Sequence, residues 1–100
     1  MDKAIVIIPA YNEEKNLPYL IEDIRTCCND FDFLLIDDYS QDGTYEIAKK
    51  SKIFKEIIRN KENLGYGGSL ILGFEYAIKN NYNFIITMDA DGQHEPKYIY

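Results

Sequence analysis

"NFIITMDADGQHEP", residues 83–96, poses the problem that the rest of the chain answers. An apolar, β-branched run stops at two aspartates one residue apart, Asp89 and Asp91. The run has the residue types of a buried strand. A polar turn is the plain reading of the residues after it. Two like charges at one strand end repel, however, unless a cation or hydrogen-bond donors compensate. A metal site is the sharper reading.

The run over residues 83–89 is the last of four. "AIVIIP" (4–9) is continuously apolar, as expected of a strand covered on both faces. "DFLLID" (32–37) and "KEIIRN" (55–60) come next. Between them lie amphipathic segments. Residues 16–28 place Leu17, Leu20, Ile21, Ile24 and Cys28 at helical spacing, with Asn16 able to cap and Pro18 tolerated in the first turn. Residues 42–51 form a short helix that Asp42 is expected to cap. Residues 66–80 form a third, with Leu70, Ile71, Phe74, Ala77 and Ile78 expected on its buried face. A further helix begins at Pro96.

This β-α-β-α-β-α-β order predicts right-handed βαβ units. The fold class is α/β: an open, mainly parallel sheet with helices on both faces. A sheet that stops on its fourth strand is expected to belong to a longer protein.

Composition narrows the function. One hundred residues suit one small domain, which buries roughly 60–65% of its unfolded surface. The chain is 46% hydrophobic and 28% charged, a globular profile. Its net charge of −6, without a basic run, predicts no nucleic-acid partner. No apolar run approaches a membrane span, and no charged leader precedes Ile5. Cys27 and Cys28 are adjacent, which suits reduced thiols rather than a bridge or a metal pair. A cytoplasmic location is expected, with the parent protein at the cytoplasmic face of a membrane.

The acids are not scattered. Glu13 and Glu14 follow the first strand; Asp37, Asp38 and Asp42 follow the second; Asp89, Asp91 and Glu95 follow the fourth. Eight of the 17 acidic residues therefore fall on the carboxyl edge of the sheet, where open parallel sheets bind ligands. Oxygen ligands suit Mg²⁺ or Mn²⁺, and such ions keep positions open for substrate phosphates. One His94 and no thiol nearby argue against zinc. A P-loop is absent, and Gly65, Gly67 and Gly68 break the dinucleotide spacing and follow the third strand.

Four stretches carry a resemblance: "IVIIPAYNEEKNL", "LLIDDYSQDGT", "NLGYGGSLILGFEYA" and "MDADGQHEP". Their order and spacing resemble the family-2 glycosyltransferases, which have the Rossmann-like nucleotide-diphospho-sugar transferase, or GT-A, fold. The subgroup resembled most is the dolichyl-phosphate mannose synthase and polyprenyl-phosphate glucosyltransferase type. The resemblance implies that residues 1–100 are the nucleotide-sugar-binding half of a catalytic domain, a truncated fold whose acceptor half is absent. It implies an inverting transfer from a UDP- or GDP-sugar, with a divalent metal, onto a polyprenyl phosphate or a saccharide.

It also implies roles. Pro9, Tyr11 and Glu13 correspond to the loop against the base and ribose. Asp38, with Asp37 as a second, matches the carboxylate that accepts a hydrogen bond from them. The 63–68 segment, including Gly65 and Gly67, resembles the lining of the nucleotide pocket. Asp89 and Asp91 match the metal-binding Asp-x-Asp motif, with Asp89 also beside the nucleotide, and Gln93 resembles a further metal or phosphate contact. No catalytic base is assigned, and this half is expected to bind donor without full activity.

Two other readings compete. One is a non-catalytic nucleotide-binding or assembly fragment. The other is a phosphoacceptor receiver domain, which would want its acidic pair after the first strand rather than the second. In the GT-A order the strands begin 3-2-1-4, so strand 84–88 is expected to be an apolar edge through which the chain self-associates.

Overall fold

The structure, a computed structural model, describes residues 3–27 and 30–90. Four strands and three helices alternate: β1 (Ala4–Ala10), α1 (Leu17–Cys27), β2 (Asp32–Asp37), α2 (Thr44–Ser51), β3 (Glu56–Arg59), α3 (Gly65–Lys79) and β4 (Phe84–Thr87). The strands form one parallel sheet in the order β3-β2-β1-β4, as the resemblance implies. Asp91, Gln93, Cys28 and the helix expected from Pro96 lie outside the described residues.

β1 explains the layering. Its alternate residues face opposite ways. Val6, Ile8 and Ala10 pack with Leu17, Leu20, Ile21 and Ile24 of α1 and Ala48 of α2. Ile5 and Ile7 pack on the other side with Leu34, Ile36 and Ala77 of α3. Both faces are covered, so β1 and β2 are apolar almost throughout, whereas β3 and β4 lie at the sheet's two edges. Among the described residues no helix is long and apolar enough to cross a membrane.

α3 buries Ala77 and packs Leu70 against the same cluster, as expected, but corrects the rest of its expected face. Ser69, Gly73 and Ala77 are buried, whereas Ile71, Phe74 and Ile78 are 58%, 37% and 71% exposed. The helix turns its small residues to the sheet because it lies too close for large ones. A Cβ on Gly73 would stand 2.6 Å from Cγ2 and 2.9 Å from Cδ1 of Ile7. Hydrophobicity marked the wide apolar face, and close packing selected the narrow one.

Two smaller differences concern helix starts. α2 begins at Thr44 rather than Asp42, because the Asp42 carboxylate accepts from the Thr44 N–H at 3.0 Å and stays outside the helix. Asn16 precedes α1, but its side-chain amide donates to Glu13 Oε1.

The close approach of α3 yields a paired expectation. Gly73→Ala lowers stability by about 1–3 kcal/mol, because a rigid, buried isoleucine must move. Gly67→Ala, whose Cβ meets nothing within 4 Å, raises it by up to about 1 kcal/mol through helix propensity. Urea unfolding of both variants checks this; equal shifts would contradict the packing account.

Candidate functional site

After β1 the chain builds outward through β2 to β3, then returns to place β4 on the other side of β1. Successive connections leave β1 in opposite directions, and this opens a crevice at the carboxyl edge. A cleft of about 480 Å³ lies there. β1 and its following loop contribute Pro9, Ala10, Tyr11 and Glu13. Asp38 enters from the end of β2, Tyr66 and Ser69 from α3, and Asp89 and Ala90 from the end of β4.

The loop bearing Tyr11 and Glu13 is held by the loop after β2. Asn12 N–H donates to Ser40 Oγ at 2.9 Å, and Gln41 N–H returns a bond to Asn12 Oδ1 at 2.8 Å. Glu13 N–H donates to Thr44 Oγ1 at 2.8 Å and Glu14 N–H to Asp42 Oδ2 at 3.2 Å. Gly43 N–H donates to Glu14 Oε1 at 2.6 Å. Two short polar loops thus satisfy each other's backbone, which neither could do alone. Burial works to raise the Asp42 pKa, but bonds from the Thr44 hydroxyl, the Thr44 N–H and the Glu14 N–H outweigh it and hold the carboxyl below its ordinary 3.8.

Asp38 is buried and fixes the opposite wall. Its Oδ1 accepts from Asn60 Nδ2 at 2.8 Å and from Leu64 N–H at 2.7 Å, and its Oδ2 accepts from Gly65 N–H at 2.9 Å. An anion at the start of α3 also suits the helix dipole. Asn60 donates onward to Ser69 Oγ at 3.2 Å. Three accepted bonds leave the carboxylate one further lone-pair site, on Oδ2.

Five of the residues singled out from the sequence therefore meet in the cleft: Pro9, Tyr11, Glu13, Asp38 and Asp89. Asp37 is not among its lining residues. It is fully buried, accepts from Ser40 N–H at 3.1 Å, and pairs at 3.5 Å with Arg59, which stacks on Tyr45. Gly65 serves through its backbone, at φ +80°, where a side chain would be strained. Gly67 is a helix residue with open space around it. Tyr66, Ser69 and Asn60 carried no signal beyond the 63–68 resemblance in which Tyr66 lies.

The acids are compensated mostly by protein donors. Glu14, Asp38 and Asp42 accept backbone N–H bonds, and Asp37 accepts one and faces Arg59. Asp89 is half-buried, with the Tyr66 hydroxyl 3.4 Å from its Oδ1. Burial, and then the charge of Asp89 and this bond, push the Tyr66 pKa up. Among the described residues no three His, Cys, Asp or Glu side chains gather closely enough to hold a metal. Asp89 nonetheless fits the partial, all-oxygen set of a cation that takes one or two carboxylates and completes its shell with phosphates and water.

With this geometry in place, comparisons with known proteins agree with the resemblance. Residues 5–100 match the family described as glycosyl transferase family 2. The polyprenol monophosphomannose synthase of Mycolicibacterium smegmatis is 31% identical over 99 residues, covering 95% of this chain and 37% of that protein. The undecaprenyl-phosphate mannosyltransferase of Micrococcus luteus is 32% identical over 100 residues, covering 97% and 41%. The crystal structure of S. aureus TarS 1-349 in complex with UDP-GlcNAc superposes with a TM-score of 0.77 at 25% identity, covering 89% of this chain and 26% of that one. The fold is the Rossmann-like GT-A fold. The chain spans about two fifths of the length of the curated relatives.

The interlocked loops predict a pH dependence. A depressed folded-state pKa means that Asp42 contributes stability above its ordinary pKa and loses it as pH falls through the lowered value. Asp42→Asn, which keeps an acceptor but loses the charge, is expected to cost about 1 kcal/mol at pH 7. The gap between wild type and variant should close below pH 3.8. Urea unfolding at pH 7, 4 and 3 measures it; a gap unchanged at pH 3 would contradict the assignment.

Proposed function

We propose that this chain, which belongs to glycosyl transferase family 2, is the donor-binding half of a catalytic domain that transfers a sugar from a nucleoside diphosphate to a polyprenyl phosphate. The carrying observation is the cleft at the topological switch point, where Pro9, Tyr11, Glu13, Asp38 and Asp89 converge from three strand ends. The acceptor class is supported by the names of the relatives, two of which are lipid-phosphate mannosyl enzymes. A saccharide is the alternative acceptor. The receiver-domain reading has no support in family membership.

In this reading Pro9, Tyr11 and Glu13 flank the base and ribose. The remaining acceptor site of Asp38 takes a hydrogen bond from one of them. Asp89 and Asp91, with Gln93, would hold Mg²⁺ or Mn²⁺. When bound, the cation offsets the charge that develops on the departing diphosphate. Attack from the opposite face inverts the anomeric centre. A phosphate acceptor is already anionic and needs no carboxylate base, whereas a hydroxyl acceptor does.

Calorimetric titration with UDP-, GDP- and dTDP-sugars, with and without Mn²⁺, tests the reading. One donor should bind more tightly with metal, and Asp89→Ala or Asp91→Ala should abolish that increment. The 100 residues alone should bind without turnover. Metal-dependent affinity that survives in Asp91→Ala, or turnover onto a lipid phosphate, would overturn the respective part.

The same reading includes self-association through β4. Among the described residues β4 pairs only with β1, and Phe84 and Ile85 are exposed. Phe84 and Met88 N–H donate to Lys3 and Ile7 carbonyls, so strand alternation turns the Ile85 and Thr87 N–H groups outward. Such an edge accepts a second copy, antiparallel about a two-fold axis. Thr87→Pro removes one outward donor and should shift a dimer to monomer in sedimentation. Wild type that stays monomeric at high concentration would defeat the idea.

A further inference from the structure

The resemblance places Tyr66 only within the 63–68 lining and gives its hydroxyl no role. Its hydroxyl nevertheless spans the cleft, from the first turn of α3 to Asp89 Oδ1 at the end of β4. The backbone that carries it is fixed, because Leu64 and Gly65 both donate to Asp38. The residue is 57% exposed, so burial does not account for its place. The bond has one sense: an ionised carboxylate only accepts, and a phenol has one proton to give.

We infer that Tyr66 is a positioning residue, whose hydroxyl holds the Asp89 carboxylate in the orientation that receives the divalent cation. This rests on the reading of Asp89 as a metal carboxylate. Carboxylate ligands are themselves held by outer hydrogen bonds, and loss of such a bond typically weakens metal binding by about 10–100-fold. At 3.4 Å the contact is longer than the roughly 2.5–3.0 Å of a usual O–H···O bond. The lower figure, about tenfold, is therefore expected.

The test is Mn²⁺ binding by electron paramagnetic resonance, with Mn²⁺ alone and with Mn²⁺ plus UDP or GDP, on wild type, Tyr66→Phe and Asp89→Ala. Tyr66→Phe keeps the ring and so the fold. It should weaken Mn²⁺ binding about tenfold, with melting temperature unchanged. Mn²⁺ affinity within twofold of wild type, while Asp89→Ala loses binding, overturns the role of Tyr66 and leaves the metal reading intact. A parallel fall in melting temperature assigns Tyr66 a general structural role and overturns it as well. Wild-type binding retained by Asp89→Ala, or no saturable binding by wild type, overturns the metal reading and this inference together.

Discussion

The carboxylate of Asp38 is the interaction on which the site depends. It ends β2, receives the side chain that follows β3, and accepts the first free N–H groups of α3. An apolar residue there would leave the buried Asn60 amide without its Asp38 acceptor, a cost of roughly 1–3 kcal/mol, and would strip the two part-buried N–H groups of Leu64 and Gly65 of theirs. Asn60 and Ser69 extend the contact into the helix. One side chain thus sets the distance between the second strand, the third connection and the wall of the cleft.

The other anchor of α3 lies along its middle. Gly73 lets the helix rest on Ile7, and Ser69 and Ala77 continue the small-residue stripe to either side of it. Held at its start by a charge and along its length by close packing, the helix has little freedom to slide. Tyr66 and Ser69 reach the cleft because both constraints hold. Large apolar residues are left on the outer face of α3, while Phe84 and Ile85 of β4 are exposed as well.

The acidic edge is built from two kinds of carboxylate. Glu14 and Asp42 lace the two loops together, and Asp37 sits buried against Arg59. Their charge is neutralised where they stand, by N–H groups and a guanidinium. Glu13, Asp38 and Asp89 line the cleft. Sequence position put all of them on one edge; the direction of each side chain decided which of them line the cleft.

The element order, the parallel sheet, its layering and the edge on which the cleft opens were all legible in the chain. They rest on short-range periodicity: apolar strands, amphipathic helices and acids at strand ends are visible in neighbouring residues. Five residues that meet in the cleft were named too: the three acids by their places after strand ends, Pro9 and Tyr11 by the resemblance alone. The buried face of α3 was legible only at Leu70 and Ala77, since Ile7 of another element selects the small residues Ser69 and Gly73 over Ile71, Phe74 and Ile78. The separation of Asp37 from Asp38 was not legible, because adjacent strand residues point to opposite faces and the fold decides which face opens. Tyr66, Ser69 and Asn60 act through partners 23, 9 and 22 residues away, and no local pattern records contacts of that range.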